Sequence, residues 1–184
     1  MSIATDATTE QLIAELYKID GKAEIVDGRI VHMSPTGGDP GRAGGAIYTS
    51  LRAHEKRAGG VAFPDNVGFL TDLPRRKSFC PDAAFYTGPR TGMKFPSQAP
   101  VFAAEVRSEG DYGPAAEREI AAKRADYFAA GTKVVWDVDL LSDDVVRVYR
   151  ASSANEPAIY RRGEQAEAEP AVPGWRFAVD ELFE

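Results

Sequence analysis

The chain has 184 residues, 43% apolar and 27% charged, an ordinary globular composition that excludes collagenous, disordered and repeat-array classes. Its 28 acidic and 22 basic residues leave a formal charge of −6, which disfavours nonspecific adhesion to nucleic acid or anionic lipid through the bulk field. One cysteine, Cys80, closes no intramolecular disulfide, and with only two histidines, His32 and His54, any metal has to sit among oxygens.

The length suits a single domain over residues 1–184. Its first helix is expected from Thr8, where Thr8-Thr9-Glu10-Gln11 offers a capping box before Leu12, Ile13, Leu16 and Tyr17, and is expected to end near Asp20-Gly21. Glu24-Ile25-Val26 and Arg29-Ile30-Val31 then read as two strands joined by Asp27-Gly28, the dipeptide that most easily supplies a tight hairpin turn. Ser34–Gly45 is rich in glycine and proline and is expected to be a loop. A second helix follows over Arg42–Arg57 and stops at Gly59-Gly60.

Val61–Leu70, the break Thr71–Lys77 and Phe79–Tyr86 predict a β-meander, and Val101–Ser108 a largely apolar strand. Ala115–Ala130 is a helix halted by Gly131, and Lys133–Val138 a buried strand, so Val101–Val138 has the strand-helix-strand pattern of a crossover between parallel strands. Val145–Arg150 alternates as a further strand. A short strand at Ile159–Arg161, an acidic turn and a terminal segment complete the chain. The longest apolar runs fall far short of the roughly 20 residues that cross a bilayer, and Met1–Gln11 carries no apolar signal region. The expectation is a soluble, cytoplasmic protein without a membrane partner.

Three polar residues intrude on faces that ought to be buried. Asp82 is the one charge in Phe79–Tyr86, where Cys80, Asp82, Ala84 and Tyr86 share a face. Glu105 lies within the apolar run Val101–Val106. On the following helix Ala116, Ile120, Lys123, Tyr127 and Ala130 form one stripe with Lys123 at its middle. Burying a lone carboxylate is costly unless it is paired, protonated or ligated, so two carboxylates and an ammonium could converge. Blander roles stay open: Asp82 as a strand-end turn former, Glu105 paired with Arg107 or another surface cation, and Lys123 paired with Glu119 one turn earlier. Tyr127 and Trp136 read as core aromatics, and Cys80 has no histidine partner for thiol chemistry.

In order, Phe79-Cys80-Pro81-Asp82-Ala83-Ala84-Phe85, Ala103-Ala104-Glu105-Val106-Arg107-Ser108 and Lys123-Arg124-Ala125-Asp126-Tyr127-Phe128-Ala129-Ala130-Gly131 resemble the Uma-two family. Met33-Ser34-Pro35-Thr36-Gly37-Gly38, Val134–Asp139, Pro173-Gly174-Trp175-Arg176 and Glu181-Leu182-Phe183 extend the resemblance over roughly Ile25 to Phe183. Two departures stand out. Asp39-Pro40 replaces the acid-histidine pair of the family's early loop, and Arg107 occupies the position two residues after the acid where the motif places lysine. The resemblance implies that the lysine has moved to the helix as Lys123.

What the resemblance implies is an α/β fold, a restriction-endonuclease-like mixed central sheet flanked by helices, of the PD-(D/E)xK nuclease superfamily. It implies hydrolysis of DNA phosphodiester bonds, with Asp82, Glu105 and Lys123 catalytic. Mg²⁺, or Mn²⁺ in its place, would be held by Asp82, Glu105 and the carbonyl of Val106. Arg107 would contact substrate, and Arg75-Arg76-Lys77, Arg90 and Lys94 offer a candidate phosphate rim against ordinary solvated turn charges. DNA is the expected partner, and a homodimer would serve to cut both strands. The alternative is a catalytically inactive nuclease-fold protein that binds nucleic acid or a protein partner.

Overall fold

The computed structural model describes residues 8–184. Helix α1 (Thr9–Leu16) opens on the expected capping box, Thr8 Oγ accepting from the Gln11 amide and the Gln11 side chain accepting from the Thr8 amide. It ends at Tyr17, short of Asp20-Gly21. Strands β1 (Ala23–Val26) and β2 (Arg29–His32) form the expected hairpin, turned by Asp27 at φ 50° and Gly28 at φ 70°.

Helix α2 (Gly38–Ala58) starts inside the segment expected to be loop. Its glycines and Pro40 misled the composition argument. Proline in a first turn forfeits no intrahelical bond, and Asp39 meets the positive end of the helix dipole. One of the glycines has a packing reason: a Cβ on buried Gly44 would stand 3.4 Å from the Cβ of Asp82, so the helix backbone lies directly against that residue.

The meander also breaks into shorter pieces: β3 (Val61–Pro64), β4 (Phe69–Leu70), β5 (Ser78–Phe79) and β6 (Ala83–Tyr86). Asn66 at φ 64° turns the chain out of β3, and Pro81, with no amide hydrogen, interrupts the ladder between β5 and β6. In consequence Phe79 does not share a face with Ala83 and Phe85. It stacks on Tyr127 at 4.0 Å and packs with Ala84.

The rest follows the expected order: β7 (Phe102–Val106), α3 (Pro114–Ala129), β8 (Val134–Val138), β9 (Val146–Arg150) and β10 (Ser153–Tyr160). The last strand is longer than the Ile159–Arg161 expected. The tail adds a hairpin of β11 (Gln165–Glu167) with β12 (Arg176–Ala178) and a 3₁₀ turn over Val179–Phe183. The main sheet runs β10-β9-β8-β7-β6-β3, with β7 and β8 parallel across the α3 connection and the other neighbours antiparallel.

Helices cover both faces of this mixed sheet. Ala43, Ile47 and Leu51 of α2 pack on Ala83, Phe85, Phe102, Ala104 and Trp136, where Trp175 of the tail stacks on Trp136 at 4.9 Å. Tyr127 of α3 packs on Ala84, Tyr86, Ala103 and Val135 on the opposite face. This is the restriction-endonuclease-like arrangement. No helix among the described residues is long and apolar enough to cross a membrane.

Candidate active site

Register brings the two strand carboxylates together. Ala83 pairs with Ala104 in the antiparallel β6-β7 ladder, which sets Asp82 opposite Glu105, and the Asp82 amide donates to the Ala104 carbonyl at 3.1 Å. Glu105 lies on the face covered by α3, while Asp82, at the bend that leads into β6, stands against Gly44 of α2. From α3 Lys123 Nζ reaches Glu105 at 2.9 Å, and the Tyr127 hydroxyl, one turn on, donates to Glu105 Oε1 at 2.6 Å. Asp82 Oδ2 accepts from the Val106 amide at 2.7 Å, which fixes the carboxylate against the strand carrying Glu105.

The structure adds residues that sequence reasoning missed. Strand β1 docks along the segment before Asp82: the Ile25 amide donates to Ser78 Oγ at 2.8 Å, and the Lys77 amide to the Ile25 carbonyl at 2.9 Å. Glu24, 2% exposed, thereby accepts from the Cys80 amide and takes a second bond from Lys123, at 2.8 and 2.9 Å. Its other oxygen meets Arg76, which also binds Asp126 at 2.9 Å. Lys22 bridges Asp82 at 2.6 Å and Asp65 at 2.8 Å. Glu24 had the same signal as Asp82 and Glu105, a single charge in an apolar strand. Lys22 and Asp65 lie at the borders of short elements and carried no comparable mark.

Charge and burial compete at each group. Burial pushes the Glu105 carboxyl up; Lys123 and Lys22 draw it down, Asp82 and Glu24 drive it up, and the net shift is upward. Burial would also raise Glu24, but the charges of Lys123 and Arg76 outweigh it and hold this carboxyl below its usual value. Burial favours a neutral Lys123, yet Glu105 and Glu24 together raise its pKa, so it stays an ammonium at neutral pH. Lys22 is likewise raised, against burial, by Asp82, Glu105 and Asp65. Burial pushes the Cys80 thiol up to about 12, which keeps it a neutral thiol.

Five carboxylates face three cations in two neighbouring clusters, Asp65 and Asp82 on Lys22, and Glu24, Glu105 and Asp126 on Lys123 and Arg76, each with a formal surplus of one negative charge and two in all. Among the described residues no three carboxylate, imidazole or thiolate groups stand together as a preformed metal cage. The donor set nonetheless fits Mg²⁺, a hard ion that takes one or two carboxylates and fills its remaining positions with water and substrate oxygens.

Other candidate residues have different surroundings. Arg107 clamps Asp137 through two bonds of 2.7 and 2.8 Å and also holds Glu117, so its guanidinium faces these two acids. Lys123 pairs with Glu105 and Glu24 in place of Glu119, and Glu105 does not pair with Arg107. Arg76 is a buried pairing residue, whereas Arg75 and Lys77 bind Asp27 and Asp72 at the surface. Asp139 accepts from the Tyr112 hydroxyl at 3.0 Å and the Leu141 amide at 3.1 Å.

Residues 10–180 match the model of the Uma2 family, described as "Putative restriction endonuclease". Among solved structures, the chain is similar to a nuclease described as putative and belonging to DUF820 from Anabaena variabilis ATCC 29413. The TM-score is 0.70 at 16% identity, covering 94% of this chain and 97% of that one, a likeness of fold. Comparison with curated proteins gives no match.

Proposed function

The chain belongs to the Uma2 family, within the PD-(D/E)xK-related nucleases, and from that premise we propose that it is a Mg²⁺-dependent endonuclease hydrolysing DNA phosphodiester bonds. The observation that carries this reading is the opposition of Asp82 and Glu105 across β6 and β7, with Lys123 2.9 Å from Glu105 and two negative charges in surplus. Asp82 and Glu105 would hold the ion, with the Val106 carbonyl as a third ligand. When bound, Mg²⁺, or Mn²⁺, neutralises charge on the scissile phosphate and acidifies a water.

The chain's own residues do the rest. Lys123, held protonated by two carboxylates, orients the attacking water and offsets charge that grows on the phosphate; an ammonium is no base. Glu24 and Tyr127 are positioning residues, Glu24 fixing the ammonium and Tyr127 the Glu105 carboxylate. Arg107 acts as a strut between β7, β8 and α3. Cutting both strands of a duplex calls for two such sites, which a twofold dimer would supply.

A second reading has one observation in its favour. Lys22 sits on Asp82 at 2.6 Å, so this carboxylate already has an internal counter-cation where a metal ion would bind. In a catalytically inactive relative that binds nucleic acid or a protein partner, this pairing would be permanent. Incubating supercoiled plasmid with the protein, Mg²⁺ or EDTA separates the two. The nuclease nicks DNA with Mg²⁺ alone and loses this with Asp82→Asn; the inactive scaffold leaves the plasmid intact.

A further inference from the structure

At the β3 edge of the sheet lies a cavity of about 550 Å³, walled by Phe63, Val67, Tyr86 and Phe95, with Arg90 and Lys94 at its rim. Its volume suits a small organic ligand rather than a lone ion. The walls are flat and fixed. Phe63 meets Tyr86 edge-on at 6.1 Å, and Phe95 is backed by Tyr17, stacked at 4.0 Å.

Position ties the cavity to the candidate site. Ala84 and Tyr86 share the α3 side of the sheet with Tyr127, whose hydroxyl binds Glu105. Asp82 to Tyr86 is four residues of nearly extended chain, about 13 Å. Along a second route Asp65, joined to Asp82 through Lys22, is followed directly by Asn66 of the cavity wall.

Charge at the rim describes the occupant. The Tyr86 hydroxyl is closed off beneath the loop bearing Arg90 and Lys94, where a Cβ on Gly88 would stand 2.4 Å from its oxygen, so the ring and not the hydroxyl contributes to the wall. Arg90 and Lys94 are exposed and have no carboxylate partner among the described residues, whereas Arg75, Arg76 and Lys77 are each on an acid. Unengaged cations at the mouth of an apolar pocket, in a chain of formal charge −6, favour an anion with a flat apolar part. A free phosphate would leave the aromatic walls unused, and a purely apolar ligand would leave the rim unused.

We propose that this cavity receives one unstacked nucleobase of the substrate strand, with the adjoining phosphate held by Arg90 and Lys94. This rests on the nuclease reading and narrows its substrate to nucleic acid with an unpaired base near the cut. Base against aromatic wall supplies affinity with little sequence preference.

The test measures fluorescence anisotropy of the full chain in EDTA with labelled pentathymidylate and with a fully abasic pentamer of equal charge. We expect the thymidylate to bind about 5- to 150-fold more tightly, the stacking of one base. Arg90→Glu with Lys94→Glu, both at exposed positions, should abolish binding of both strands. Phe95→Leu, which keeps apolar bulk and removes one flat wall, should fold normally and shrink the preference for thymidylate. Equal binding of the two pentamers, indifference to the rim charges, or an unchanged preference in Phe95→Leu overturns the pocket. Plasmid cleavage with Mg²⁺ run in parallel separates the failures: cleavage without a base preference removes only the pocket, and neither binding nor cleavage removes both.

Discussion

Lys22 and Asp82 are 60 positions apart in sequence and 2.6 Å apart in space, so a residue of the N-terminal hairpin's approach neutralises the carboxylate that the metal would need. On the proposed reading, the internal lysine and a divalent cation would compete for the same oxygen atoms. Lys22→Met should lower stability in EDTA by about 3 kcal/mol, because Asp82 and Asp65 lose their shared counter-charge. Mg²⁺ should restore more of the lost melting temperature in this variant than it adds to the native chain. Thermal melts with and without Mg²⁺ check this, and an equal response of the two proteins counts against competition.

The carboxylates should be separable from the lysine. Asp82→Asn and Glu105→Gln are each expected to remove Mg²⁺-dependent stabilisation together with cleavage, since each deletes a charged oxygen ligand. Lys123→Ala should keep metal affinity within a few-fold while cleavage falls about 100- to 1,000-fold, the scale of losing one electrostatic stabiliser. Calorimetric Mg²⁺ titration beside a nicking assay reads both. Parallel loss of affinity and activity in Lys123→Ala would refute the division of labour.

Arg107 divides a substrate contact from a strut. Its bonds to Asp137 and Glu117 join β7, β8 and α3. Arg107→Ala strands the buried Asp137 and should cost about 3 kcal/mol in urea unfolding. The surviving folded enzyme should show an unchanged KM for DNA. A raised KM at unchanged stability would return Arg107 to the substrate-binding role.

Acid should act on Glu24 with a definite sign. Its folded pKa lies below the usual 4.5, so the stability it contributes is fully present above that value and is lost as pH falls through the folded pKa. Glu24→Gln should therefore be less stable than the native chain at pH 7, with the gap closing as pH drops below about 4.5. Urea midpoints of the two proteins across pH 7 to 3 measure the convergence; a constant gap would mean that Glu24 works through packing alone.

Much of the outline was legible in the sequence because local chemistry specifies it. Thr8 with Gln11 caps α1, Asp27-Gly28 turns the hairpin, and the strand-helix-strand pattern from Val101 to Val138 requires β7 and β8 to be parallel neighbours. Asp82, Glu105 and Lys123 were visible because each is a single charge on an apolar face, a cost that has to be met by a partner. The same rule applied to Glu24 would have found it.

Which partner meets that cost was decided only by tertiary structure. Register placed Asp82 opposite Glu105, and docking of β1 along Lys77–Cys80 brought Lys22 onto Asp82 and Glu24 onto Lys123. The expected loop became the start of α2, and Gly44 lets that helix lie on the Asp82 backbone, a contact invisible to composition. Arg107 turned toward Asp137 because the two strands bearing them lie side by side. Periodicity and caps act over a few residues and can be read along the chain, whereas pairing of charges depends on distances between segments far apart in sequence, and these exist only once the chain is folded.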